Sequence, residues 1–294
     1  IGDGCVKALT DTPACVAAFE AFTSIFMEEF EELPGSTGGK FVLAEELTWE
    51  LFNEVLFSMP SGKAVGKGGF HAEMLKVAGE KARRAFYEAM VADVEGRRVP
   101  EAWKTVIYVL LEKKGLDMTV VGNRREIALM AHDAKLLLQM VRRVSYQRMA
   151  GRILCEQGGW LSGFGTGDPS ITAAAVIQEC AKRKKSLWLL YIDLATFFPR
   201  IDRQVLTVAE LVHGLPKEVS DLALAIYGAR EDRDNAVTCY YDSAAGLGRG
   251  FKNWMGALMG CVLSPDKAKI LLNTVVVAIA AVVKGVRLRG FGEA

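Results

Sequence analysis

Few residues in this chain combine a reactive type with a setting that lets it act, and Asp193 leads them. It lies near the end of the apolar run SLWLLYIDL (186–194) and is followed by LATFFPRID. A carboxylate where an apolar strand ends can face a cleft and hold Mg²⁺ through oxygen. Two-metal nucleotidyl transfer needs such acids to activate a 3′-hydroxyl and to steady the departing pyrophosphate. A lone acid in that place also serves as a turn or capping residue, and taken alone that plainer reading carries more weight. Thiol and imidazole chemistry has less support. The six cysteines (5, 15, 155, 180, 239, 261) include no CxxC pair, and the three histidines (71, 132, 213) stand far apart in sequence. This argues for reduced, buried thiols over a disulfide framework or a zinc site, and so for an intracellular compartment.

The elements that must position these residues read as helices mixed with separated strands. Residues 14–33 space Val16, Phe19, Phe22, Phe26 and Phe30 at helical intervals, and GSTGGK (35–40) follows as a linker. A helix is expected over 43–58, a loop in GKAVGKGG (62–69), and helical pattern from His71 to about Val94. TVIYVLLEKKG (105–115) is β-rich and predicts a strand leading into a hairpin. Helices are expected over 133–156, 170–185, 204–213 and 217–229, with strands at 186–194 and 236–242. The chain lacks regular βαβ alternation, so the fold class is α+β, helix-rich with a small antiparallel sheet. The apolar run 270–283 is 14 residues long and contains Asn273. That is short of the roughly 20 residues a membrane span needs, and a core helix is the expectation.

The net charge of +1 conceals a gradient. Residues 1–60 carry 2 basic and 11 acidic side chains, residues 61–160 carry 18 and 11, and residues 161–294 carry 16 and 13. The middle third is therefore the part suited to a polyanion, although charge alone favours the plainer reading, a solvated basic face.

Six segments, in order, resemble the reverse transcriptases of the non-LTR retrotransposon class. LTWELFNEVLFSMPSGKAVGKGGFHAEMLK (47–76) is similar to the opening "SGKAPGPDG" loop and its helix, and VPEAWKTVIYVLLEKKG (99–115) to the first fingers strand. GNRREIALMAHDAKLLLQMVRRVSYQRM (122–149) resembles the "YRPI" segment, and LSGFGTGDPSITAAAVIQE (161–179) the "GFRPGRST" segment. YIDLATFFPRIDR (191–203) resembles the first palm motif, and GALMGCVLSP (256–265) the "QGxxLSP" motif.

The resemblance implies an RNA-directed DNA polymerase, a magnesium-dependent nucleotidyltransferase acting on a primer–template. It implies an acidic N-terminal segment over 1–40, a fingers-like region over 41–185 and a partial palm over 186–294. Asp193 would be the catalytic Mg²⁺ ligand, with the Leu194 carbonyl beside it. Lys113, Lys114 and Arg125 would face the incoming triphosphate, a bidentate guanidinium suiting phosphate oxygens. Phe198 would pack under the sugar, and Gly260, Ser264 and Pro265 would support the templating pair.

The sequence also departs from the family. Met259 stands in place of Gln, Glu126 in place of Pro beside the phosphate arginine, Gly68 in place of Asp, and Pro199 where Asp often follows the aromatic. No paired acids resembling the family's "YADD" hairpin follow the last helix, and one carboxylate cannot hold two Mg²⁺ ions against water. Activity in the chain as given is therefore not expected. The alternative is a degenerate, non-catalytic remnant acting as a scaffold or subunit within a protein assembly.

Overall fold

The structure is a computed structural model. It describes residues 41–282 except 69, 114, 118–119, 121–122, 155–156, 161–162, 190, 192–193, 195 and 244, with the side chains of 147, 148, 150 and 279–282 also left aside. The amphipathic segment 14–33, the linker 35–40, Lys114 and Asp193 lie outside the described residues. The chain divides into two units. The larger holds Gly38–Ala150 and Leu194–Ala268, and the smaller takes in Gly151–Asp193 and the residues from Lys269 on.

In the larger unit, the helix expected over 43–58 is two: α1 (Leu43–Glu46) and α2 (Trp49–Ser58). The break falls at Leu47–Thr48 because the Thr48 hydroxyl accepts the Leu51 N–H at 3.2 Å and starts a new helix there. The stretch from His71 also divides, into α3 (Ala72–Val77) and α4 (Glu80–Glu95), around Ala78-Gly79. Strand β1 (Thr105–Glu112) turns back into β2 (Arg124–Leu129), with Leu111 opposite Arg125 and Tyr108 opposite Ala128. Helix α5 (His132–Ser145) is shorter than the expected 133–156: the Ser145 hydroxyl bonds back to the Val141 carbonyl and the chain tightens into a 3₁₀ segment, Tyr146–Arg152. Leu136, Leu137, Leu138 and Met140 of α5 are fully buried, with Phe52, Val55 and Leu56 of α2 equally enclosed.

In the smaller unit, α6 (Gly167–Lys182) forms where a helix was expected. The run 186–194 does not give the expected strand over its described residues, and Trp188 and Tyr191 are 94% and 82% exposed. A strand exists only through a paired neighbour, and the apolar run finds none among the described residues.

The larger unit resumes with a short α7 (Phe197–Arg200), then α8 (Arg203–Val212) and α9 (Lys217–Tyr227). Strands β3 (Val237–Ser243), β4 (Gly246–Leu247) and β5 (Phe251–Asn253) complete a sheet of order β2-β1-β3-β4, with β5 also on β3. The sheet was expected to be antiparallel and is mixed. β1 and β3 run parallel, Tyr108 opposite Tyr241, because helices and β2 intervene between them in place of a tight turn. Tyr108, Tyr241 and Phe251 stack on one face, with ring centroids 5.4–6.4 Å apart.

The last helix, α10 (Ser264–Val282), begins in the larger unit and continues in the smaller one. Asn273 is buried there. Its side chain accepts the Leu154 N–H at 2.9 Å and donates to the Arg152 carbonyl at 3.1 Å, so the polar residue in this apolar helix has a structural task. Among the described residues, no helix is long and apolar enough to cross a membrane.

Candidate functional site

Strand alternation sorts the residues of the β1–β2 hairpin. Arg125 shares a sheet face with its partner Leu111, with Ile127, and with Tyr240 of β3. It is exposed and makes no ion pair with a described residue. Lys113 follows the last residue of β1 at the hairpin tip. Lys67, from the glycine-rich loop, lies over the Tyr240 ring at 4.3 Å and adds a second cation to that face. Glu126 points the other way. Its Oε1 accepts the Tyr241 hydroxyl at 2.7 Å on the aromatic face. The expectation that Glu126 sets a negative charge beside the phosphate arginine is therefore corrected, because one residue along a strand is the opposite face. Burial, then the bond to Glu126, pushes the Tyr241 phenol well above its ordinary pKa, so it remains a donor.

The loop 256–265 joins this hairpin to the segment after Asp193. Ala257 N–H donates to the Phe198 carbonyl at 2.8 Å, and Ala128 N–H donates to the Met259 carbonyl at 2.6 Å. Two glycines make these approaches feasible. Gly256 has φ +83°, and a Cβ there would sit 2.7 Å from the Pro199 carbonyl oxygen; Gly260 has φ +109°, and its Cβ would sit 2.7 Å from the Ala128 oxygen. Gly260 thus packs on β2 three residues from Arg125, about 10 Å at roughly 3.4 Å per residue. Met259 uses its backbone oxygen for this bridge.

Ser264 is buried, and its hydroxyl donates to the Leu258 carbonyl at 2.7 Å, so it shapes the loop and is not presented to a ligand. Pro265 lies in the first turn of α10, where a missing N–H is without cost. Phe198 packs edge-on to Phe197, with centroids 5.7 Å apart. It follows Thr196, whose φ of 51° turns the chain into α7. Leu194 is exposed.

Two groups central to this arrangement escaped the sequence reading. The first is Arg203. Its guanidinium is buried and donates to the carbonyls of Gly256 (2.9 Å), Gly228 (3.2 Å), Asn253 (2.9 Å) and Met255 (3.1 Å), and to that of Tyr227. Burial pulls its pKa down to about 10, which leaves it charged at neutral pH. It gathers the end of α9, the end of β5 and the start of the glycine loop around one side chain. The second is the buried ion pair Lys267–Glu210, in which Glu210 also accepts from Ser220 at 3.0 Å and Tyr146 at 3.3 Å. Asp266 beside it pairs with Arg142. Their signal was available: Arg203, Leu206 and Glu210 fall on one stripe of an amphipathic helix, where a charged residue must have a buried partner.

Comparison of the chain with models of known protein families gave no match, and comparison with curated proteins gave none either.

Proposed function

We propose that this chain is the fingers and part of the palm of a reverse-transcriptase-like, RNA-directed DNA polymerase. The observation that carries the reading is the linkage from Phe198 through Gly256–Gly260 to β2 and Arg125. Three separate sequence segments that resemble the family's motifs meet in one unit through backbone hydrogen bonds. In this reading the Arg125 face takes the triphosphate, Phe198 lies under the sugar, and the Gly260 loop backs the templating pair. Mg²⁺ would be held by Asp193 and the Leu194 carbonyl. One carboxylate supplies too few oxygens for two hard cations. Further carboxylates are therefore required for catalysis.

The test is titration of the chain with Mg²⁺·dNTP and with a labelled RNA–DNA duplex. Arg125→Ala is expected to weaken nucleotide binding by roughly tenfold, about 1.4 kcal/mol of lost charge-assisted hydrogen bonding. A chain that binds neither ligand would remove the polymerase reading.

A second reading, the non-catalytic scaffold, is favoured by one observation. In the smaller unit Ile171, Trp188 and Tyr191 are 71–94% exposed, apolar side chains that a partner protein would cover.

A further inference from the structure

Histidines far apart in the sequence suggested no metal centre, yet the fold brings two of them together. His71 immediately precedes α3, Glu73 lies in its first turn, and His132 opens α5. One ligating atom from each lies within 4.8 Å of the others, and the two imidazoles meet edge to face at 5.8 Å. We propose that His71, Glu73 and His132 form a zinc site that ties the glycine-rich loop and the start of α3 to the start of α5.

Three features of the side chains support it. Glu73 Oε1 accepts the Gly62 N–H at 2.6 Å, while Oε2 is shut away from solvent without a hydrogen-bond partner among the described residues. An orphaned, buried carboxylate oxygen beside two imidazoles is a cation ligand in waiting. His132 Nε2 faces the Ala64 carbonyl at 3.3 Å. A backbone carbonyl on one ring nitrogen sets the tautomer and aims the other at a metal, as in established zinc sites. That other nitrogen, Nδ1, accepts the Ala72 N–H, which stands between His71 and Glu73 in the chain. Zinc must displace this bond, which at 3.2 Å is long, and the buried Ala72 N–H then needs a new acceptor, a role the water in the fourth zinc position would fill.

Ligand type selects the metal. Two imidazoles and a carboxylate suit Zn²⁺ with water in the fourth position, whereas Mg²⁺ prefers oxygen throughout. Bonds of about 2.0–2.1 Å place tetrahedral ligands roughly 3.3 Å apart. The site must therefore contract, and half-buried His71, on the extended residue before the helix, has the freedom to move.

The experiment is calorimetric titration of the tag-free chain with ZnCl₂, with melting temperatures taken with and without zinc and absorption spectra of the Co²⁺ form. Expected are one zinc per chain, a higher melting temperature with zinc, and Co²⁺ ligand-field bands without thiolate charge transfer. Glu73→Gln keeps the acceptor for Gly62 and alters only the orphaned oxygen; His71→Ala removes a ring that makes no hydrogen bond with a described residue. Each is expected to weaken zinc binding at least about tenfold while leaving the zinc-free melting temperature near that of the parent. No saturable binding, binding indifferent to both substitutions, or thiolate bands in the Co²⁺ spectrum would overturn the proposal.

Discussion

Replacing Lys267 with Met isolates the electrostatics beneath the glycine loop. The Lys267 and Glu210 side chains are 6% and 1% exposed, so the pair sits in a medium where an uncompensated charge is costly. Met fills much of the Lys volume, so packing is largely kept and the change is mainly loss of the cation. Glu210 would then keep only two neutral donors, Ser220 and Tyr146. Neither can relieve it by giving up a proton. Burial, then the Glu210 charge, already holds the Tyr146 phenol well above its ordinary pKa. Breaking one half of a buried pair costs about 3–5 kcal/mol. For a unit of this size that corresponds to a melting temperature lower by about 6–20 °C, at roughly 2–4 °C per kcal/mol. Urea unfolding followed by tryptophan fluorescence reads the change, since Trp103 is buried and its indole N–H donates to Asp133. Adding Glu210→Gln to Lys267→Met removes the stranded charge and is expected to recover about 2 kcal/mol or more. A loss below about 1 kcal/mol for Lys267→Met alone would refute the reasoning, because it would place the pair among exposed salt bridges.

Gly260→Ala places a Cβ on the Ala128 carbonyl at φ +109° and is expected to cost about 2 kcal/mol, read from the urea midpoint; an unchanged midpoint would mean the close approach is not kept in solution. Glu126→Gln, on the opposite sheet face from Arg125, is expected to change Mg²⁺·dNTP affinity by less than about threefold, and a larger gain would restore the idea of a charge opposing phosphate. Burial pushes the Cys239 thiol up to about 11, so its reactive thiolate is scarce at pH 8. Iodoacetamide should leave Cys239 unmodified in the folded chain and alkylate it in urea, as peptide mass spectrometry can show.

Local signals in the sequence anticipated most of the regular elements. Alternation and β-branching marked 105–115 and 236–242, and amphipathic spacing placed α8 and α9 to within a residue or two at most ends. Element boundaries set by a single polar side chain were harder. The Thr48 cap divides one expected helix and the Ser145 back-bond shortens another, and both hydroxyls read equally well as ordinary helix-surface residues. The parallel pairing of β1 with β3 depends on long-range packing that no window of sequence contains. The same holds for the site. The resemblance drew attention to Gly260 and Ser264, whereas Arg203 joins residues 24 to 53 positions away in the chain and had only its place on an apolar stripe to betray it. His71 and His132 illustrate the limit most simply: separated by two strands and two helices, they meet only because α3 and α5 begin side by side.

The bridge at Ala128–Met259 and the bond from Ala257 to Phe198 also limit how this unit can move. A loop fastened by backbone bonds at Ala257 and Met259 to two different segments behaves as a strut. Swinging the β1–β2 hairpin would drag Phe198 with it unless one of those bonds opened first.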